Sequence, residues 1–104
     1  QAICEPTETG GTRNRRSVWH VNTKPFAGAH FATFPPALIR PCIQASTELG
    51  DFVLDPFFGS GTVGLVCQEE KRQYIGIELN HEYVALAADR LQGHNGSVVR
   101  LAAE

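Results

Sequence analysis

The sequence predicts an α/β fold: a mostly parallel sheet of three to four strands with flanking helices. Three observations carry that expectation. Phe52-Val53-Leu54 and Tyr74-Ile75-Gly76-Ile77 are short apolar runs of strand length, set among turn residues. Between them, Thr62 to Lys71 places Val63, Val66 and Cys67 on one helical face, with Gly64 and Leu65 where the helix approaches the sheet. Each apolar run also ends in a carboxylate, Asp55 in the first and Glu78 in the second. A strand, helix, strand unit puts both acids on one edge of a parallel sheet, where ligands of open α/β folds bind.

The remaining elements follow in chain order. Residues 1 to 14 hold Pro6, Gly10 and Gly11 without periodicity and read as loop or disordered tail. Arg13, Arg15 and Arg16 then cluster around Asn14. Ser17 to Thr23 is rich in β-formers and is expected to form a short strand, with Trp19 and Val21 on one face and Trp19 in the core. Lys24 to Gly28 breaks it, and a loop through His30 to Phe34 leads into a helix. Pro35 and Pro36 suit that helix's first turn and Thr33 its N-cap. Leu38, Cys42, Ala45 and Leu49, with Ile39 and Ile43 alongside, predict the face laid on the sheet. Pro41 predicts a bend or locally opened backbone, and Gly50 the stop. After the charged helix end at Glu69, Glu70, Lys71 and Arg72, read as solvated, comes the second strand. Asn80 is the expected cap of a last helix, with Tyr83, Leu86, Ala87, Arg90 and Leu91 at helical spacing and Gly93 to Gly96 as its stop. Ser97 to Leu101 is a final short strand or a tail.

Composition narrows the class. At 104 residues the chain is one small domain, able to bury about two thirds of the surface its unfolded form exposes. A net charge of −2 does not advertise nucleic-acid binding, although the arginine cluster runs against that balance. The three cysteines, Cys4, Cys42 and Cys67, are odd in number and lack C-x-x-C spacing, which suggests neither a disulfide framework nor a zinc site. Cys42 and Cys67 are expected as buried free thiols. With no signal peptide and no apolar run of membrane length, the expected location is the cytoplasm.

The loop between the two acids limits the ligand. Gly59, Gly61 and Gly64 satisfy G-x-G-x-x-G, and Glu78 follows Gly59 by 19 residues, about where a ribose-binding acid is expected. A dinucleotide site needs that loop free of negative charge, because backbone N–H groups and the positive helix end must hold a pyrophosphate. Asp55 stands four residues before Gly59 and would repel a phosphate while pairing with an ammonium group. An NAD reading therefore rests on glycine spacing alone. A P-loop is excluded more firmly, since its glycines run into Lys-Ser or Lys-Thr and the first lysine after Gly59 is Lys71. The ligand implied has a cationic or zwitterionic end for Asp55, sugar hydroxyls for Glu78 and a flat ring. S-adenosylmethionine has those parts.

DPFFGSGT at 55 to 62 with IGIEL at 75 to 79, and HFATFPPALI at 30 to 39, resemble motifs I, II and X of the DNA amino-methyltransferases that modify adenine N6 or cytosine N4. Motif X directly before motif I is the order of the permuted class called β. The resemblance covers roughly Arg13 to Leu91 and implies a partial Rossmann-like methyltransferase fold. It also implies a cofactor gripped from two sides. His30, Phe31, Thr33 and Phe34 would meet its methionine end, and Asp55 its ammonium. Gly59, Ser60, Gly61 and Thr62 would form the floor, Phe57 a cover or plain core, and Glu78 would take the ribose hydroxyls. Arg13, Arg15 and Arg16 fall where the family closes its target-recognition region. Contact with DNA phosphates and a solvated basic turn both remain open for them. The organisation expected is a flexible lead over residues 1–16 and an incomplete cofactor-binding part over residues 17–104.

The same resemblance calls for a motif IV, a polar residue followed by Pro-Pro and an aromatic, whose groups accept from the target amine and stack on a flipped base. The only Pro-Pro is Pro35-Pro36, between Phe34 and Ala37, and neither neighbour suits that chemistry. No catalytic residue is therefore assigned. In the permuted order motif IV precedes motif X, and a complete fold of the family needs about seven strands. The chain is expected to be a C-terminal piece, inactive without its missing half. The alternative is a remnant that binds ligand or self-associates without catalysis. Either way an unpaired sheet edge is expected to favour a dimer or larger oligomer.

Overall fold

The computed structural model describes residues 4–6, 12–22, 34–92 and 96–100. His30, Phe31 and Thr33, and the loop expected at 24 to 28, lie outside them. Among the described residues the parallel sheet has three strands: β3 (Phe52–Asp55), β4 (Gln73–Glu78) and β5 (Gly96–Arg100), in that spatial order. Both pairings are parallel, with Asp55 opposite Gly76 and Glu78 opposite Arg100. The segment at Ser97 is thus a strand. Helices α2 (Thr62–Glu69) and α3 (His81–Leu91) form the two crossovers. α2 packs on β4, and α3 on β5, β4 and α2. A sheet that advances in one direction through right-handed crossovers puts both helices on the same face.

The core lies between that face and the helices. Val66, Cys67, Tyr74, Ala87 and Leu91 are almost fully buried, and Val53 and Val98 pack against them. Burial is the largest influence on the Cys67 thiol and pushes it up to about 11, which leaves it inert at neutral pH. Phe58, in the loop after β3, is the keystone: 3% exposed, it stacks on Tyr74 with ring centroids 5.5 Å apart. Gly76 on β4 makes room for it, since a Cβ there would meet the ring at 2.3 Å. The opposite face of the sheet carries Phe52, Leu54 and Ile75, all exposed.

Helix α1 (Pro36–Ser46) departs from expectation in three ways: its N-cap, its end and its inner face. Its N-cap is Pro35, with no side-chain cap, in place of Thr33. Its first turn does take Pro36, whose missing N–H is lost at no cost there. It continues through Pro41, which is buried and, having no N–H, leaves the Ala37 carbonyl without its helical donor, in line with the locally opened backbone expected there. It ends at Ser46 with Thr47 as C-cap, whereas Gly50 serves a later turn at φ +85. Its inner face is Ile43 with Ile39, while Leu38, Cys42 and Leu49 are exposed, so Cys42 is not a buried thiol. The reason is that α1 packs chiefly on α2, not on the sheet. Arg40 forks across that contact to Glu69 and, at 2.7 Å, to Glu70.

The charged run at 69 to 72 is likewise not simply solvated. Arg72 is buried, with Nε donating to Thr47 Oγ1 at 3.0 Å, Nη2 to the Thr47 carbonyl at 2.9 Å and Nη1 to the Glu70 carbonyl at 2.7 Å. One guanidinium thereby satisfies carbonyls left over at the ends of α1 and α2, where a cation also suits both helix dipoles.

The lead is more ordered than its composition suggests. Strands β1 (Cys4–Pro6) and β2 (Thr12–Asn14) pair antiparallel, with Glu5 opposite Arg13. Backbone pairing in a two-stranded hairpin needs no apolar periodicity, so composition alone could not reveal it. Ser17 to Asn22 is not a strand, and Trp19 is only half-buried. Its indole N–H donates to the Arg16 carbonyl at 2.6 Å and the Arg15 guanidinium lies 5.0 Å from its ring centroid. That local knot outcompetes a place in the core. Among the described residues no helix is long and apolar enough to cross a membrane.

Candidate ligand site at the strand ends

β3 and β4 are short because each needs only to cross the helix layer, and their final residues emerge at the same edge. β3 ends in Asp55 and β4 two positions further on, in Glu78. Asp55 Oδ1 accepts the Phe57 N–H at 3.0 Å, a local turn of the kind aspartate favours. The chain then comes back over β4: the Phe58 N–H donates to the Ile77 carbonyl at 2.9 Å, and the Gly59 N–H donates to Glu78 Oε1 at 2.7 Å. The other carboxylate oxygen of Glu78 accepts the Asn80 N–H at 2.8 Å. Each oxygen has a second lone pair, so the doubly held carboxylate can still accept two hydroxyl donors.

Gly59 has φ +58, and a Cβ built there would find nothing within 4 Å. The left-handed backbone and the open space together allow a ligand to come against the main chain. Gly61, also left-handed at φ +90, caps α2 without a side-chain bond. Asn80 caps α3 as expected, its side chain accepting the Glu82 N–H at 2.9 Å. Phe57 is 88% exposed and is therefore not core, while Phe34, just before α1, is 42% exposed.

The expected site residues divide on this geometry. Asp55, Gly59 and Glu78 come together around one turn. Ser60 and Thr62 belong to the same turn, but both are buried and face Arg90, whose Nη1 lies 3.1 Å from Ser60 Oγ, 3.2 Å from the Ser60 carbonyl and 3.3 Å from Thr62 Oγ1. Sequence reasoning placed Arg90 on the helix without giving it a task. A signal was available: a cation one residue before Leu91 and three after Ala87 sits on the border of the inward stripe. Pro35 and Pro36 form the start of α1 and, with Asn22, Ala37, Arg40 and Glu69, line a separate small cavity.

Comparison with known proteins agrees with this geometry. The N6_N4_Mtase family model, described as DNA methylase, matches residues 5–89. Type II methyltransferase M.XycI of Xanthomonas campestris pv. cyanopsidis is 79% identical over 103 residues, 99% of this chain and 34% of that protein. Type II methyltransferase M.Cfr9I of Citrobacter freundii is 70% identical over 103 residues, again 99% of this chain and 34% of the relative. The chain thus spans about a third of the length of the curated relatives it matches. Among solved structures, the M1.HpyAVI–SAM complex superposes with a TM-score of 0.63 at 33% identity, covering 88% of this chain and 43% of the other. TTHA0409 of Thermus thermophilus, complexed with S-adenosyl-L-methionine, gives 0.55 at 33% identity, covering 64% and 29%. With the partial α/β fold and these matches together, the chain belongs to the amino-methyltransferase family of DNA methylases.

Proposed function

We propose that the chain is the S-adenosylmethionine-binding portion of a DNA methyltransferase that modifies an exocyclic amine, adenine N6 or cytosine N4. The observation that carries this reading is the placing of Asp55 and Glu78 at adjacent parallel strand ends, on either side of a left-handed glycine with open space above it. The residues present fit the cofactor. The Glu78 carboxylate is already oriented by two backbone N–H groups and keeps two lone pairs for ribose hydroxyls. Asp55 is the acid available to the methionine ammonium, directly or through water. Gly59 and Gly61 let the main chain approach, and exposed Phe57 is free to cover the ligand. His30, Phe31, Thr33 and Phe34 complete the grip from the other side. When bound, the cofactor supplies a sulfonium methyl group for direct displacement by an amine.

Transfer needs an amine held in line, which is a positioning problem above all. No residue of these 104 is assigned that task, so the chain alone binds cofactor without transferring methyl groups. Arg13, Arg15 and Arg16 contact DNA phosphates in the complete enzyme. Arg15 stacks on Trp19, which gives that zone one preformed shape. The location proposed is cytoplasmic. The missing partner surface is the bare sheet face with Phe52, Leu54 and Ile75, covered either by the rest of a methyltransferase or by a second copy.

Calorimetric titration of S-adenosylmethionine, or of its demethylated product, into the wild type and Glu78→Ala tests the cofactor role. Losing the ribose contacts to a charged acceptor is expected to weaken binding by about tenfold or more. Equal affinity in the two proteins would refute the ribose role of Glu78, and absence of binding to the wild type would favour a non-catalytic remnant.

A further inference from the structure

We infer that Arg90 is a positioning residue that holds the Gly59 to Thr62 turn in its ligand-ready shape, with Ser60 and Thr62 acting as its acceptors rather than as cofactor contacts. The inference rests on the cofactor reading above. Arg90 sits in the last turn of α3, and its Nη1 reaches three oxygens of the turn: the Ser60 carbonyl at 3.2 Å, Ser60 Oγ at 3.1 Å and Thr62 Oγ1 at 3.3 Å. Ser60 and Thr62 are each only 4% exposed. Two N–H groups on one nitrogen serve these three acceptors, so the contact is shared and spans both sides of Gly61.

Two features of the site weigh against a positive charge on this side chain. Burial disfavours the guanidinium and lowers its proton affinity. The α2 N-terminus, which begins at Thr62, is the positive end of a helix dipole and adds a further cost. A leucine would simply extend the apolar stripe of Ala87 and Leu91. What an apolar residue cannot do is fix two hydroxyls and a carbonyl of the turn at once.

The rest of the packing shows why that matters. Gly61 is wedged onto α3, where a Cβ would lie 3.1 Å from Leu91 Cδ1 and 3.2 Å from Ala87 Cβ. On the other side the Gly59 N–H is held by Glu78. The turn is therefore clamped between a carboxylate at the end of β4 and a guanidinium from α3, while the space above Gly59 stays open. An ordered turn binds more tightly because less ordering is left to be done by the ligand.

The test uses the 104-residue chain with Arg90→Leu, Arg90→Lys and Thr62→Val. Two quantities are read: amide hydrogen exchange, and affinity for the demethylated cofactor. In Arg90→Leu, exchange at Gly59 to Val63 is expected to accelerate about tenfold or more while the β4 amides keep their wild-type rates, and affinity is expected to fall by a similar factor. Arg90→Lys should recover part of both losses, and Thr62→Val should show a smaller change in the same direction. Equal acceleration in the turn and in β4 would mark a general loss of stability and overturn the positioning role, as would wild-type exchange and affinity in folded Arg90→Leu. Should Arg90→Leu not fold, Arg90→Lys and Thr62→Val decide by the same two readings. Failure of the wild type to bind the cofactor would count against the cofactor reading alone, since the exchange comparison needs no ligand.

Discussion

The small side chains of the core carry as much as the large ones. Gly76 lies directly under the Phe58 ring, and a methyl group there would sit 2.3 Å from two ring carbons, on a strand paired on both sides. Neither the strand nor the stacked ring has room to yield. Gly76→Ala is therefore expected to cost roughly 2–3 kcal/mol, read as a fall in thermal midpoint on the order of 10 °C or more. Because the clash is with one ring, Phe58→Leu in the same molecule should cost less than the two single changes added together, a non-additivity that a double-mutant cycle measures directly. The sequence marked the IGIEL stretch as a strand, but not this glycine's task. A glycine in an apolar run says that something approaches closely, and only the fold says what. Asp55 and Glu78, in contrast, were readable from the chain, because each terminates an apolar run and a βαβ unit brings such ends together. Cys67 was also readable as a buried thiol. Cys42 was not, since its burial depended on which way a whole helix would turn.

At the scale of elements, the helix that was misread shows where periodicity stops being informative. In α1, Leu38 with Cys42 and Ile39 with Ile43 are both i, i+4 pairs, so a period of 3.6 permits either stripe to face inward. The choice is made by α2. Arg40 must reach Glu69 and Glu70, and Gln44 donates to Glu70 at 3.1 Å, which turns Ile39 and Ile43 toward the core. The Arg40 guanidinium, with Gln44, holds the Glu70 carboxyl below the usual range for a glutamate. A carboxyl with a depressed folded-state pKa contributes stability that is present above the ordinary glutamate range and is lost as pH falls through the folded value. Glu70→Gln is thus expected to destabilise the chain by about 0.5–1 kcal/mol at about pH 7. Its difference from the wild type should shrink as pH falls below the ordinary glutamate range and the wild-type carboxyl itself takes up a proton. Urea unfolding at neutral pH and at a series of acid pH values checks this, and a difference that stays constant throughout would show that Glu70 acts through packing. The hairpin of β1 and β2 and the unpaired Ser17 to Asn22 segment were hidden for a related reason: backbone pairing and a tryptophan donating to its own loop leave no apolar period to read.

Viewed whole, the molecule is one-sided. Both crossover helices cover one face of the sheet, and the other face presents Phe52 at 62%, Leu54 at 63% and Ile75 at 36% exposure, beside an edge of β3 that pairs with no other strand among the described residues. Relatives about three times as long have ample chain to cover such a face. The isolated chain has only itself, so it is expected to sediment at low micromolar concentration as a dimer or larger species, and Phe52→Ser with Leu54→Thr to return it to the monomer. A single species of 11.4 kDa in the unmutated chain would remove that expectation. The parallel pairing of β3 and β4 was legible in advance from two strand-like runs separated by a helix, whereas the third run, Ser97 to Leu101, read equally as strand or tail until β5 was seen beside β4. The sheet's bare face follows from the same order.

The most direct measurement is a map of amide chemical shifts in the chain titrated with the demethylated cofactor, with NAD as competitor. The largest changes are expected at Asp55 to Thr62 and Glu78 to Asn80, unaltered by excess NAD, because a carboxylate ahead of the Gly-Ser-Gly turn disfavours a pyrophosphate. Displacement of the first ligand by NAD, with its diphosphate shifting the Gly59 to Thr62 amides, would contradict the assignment.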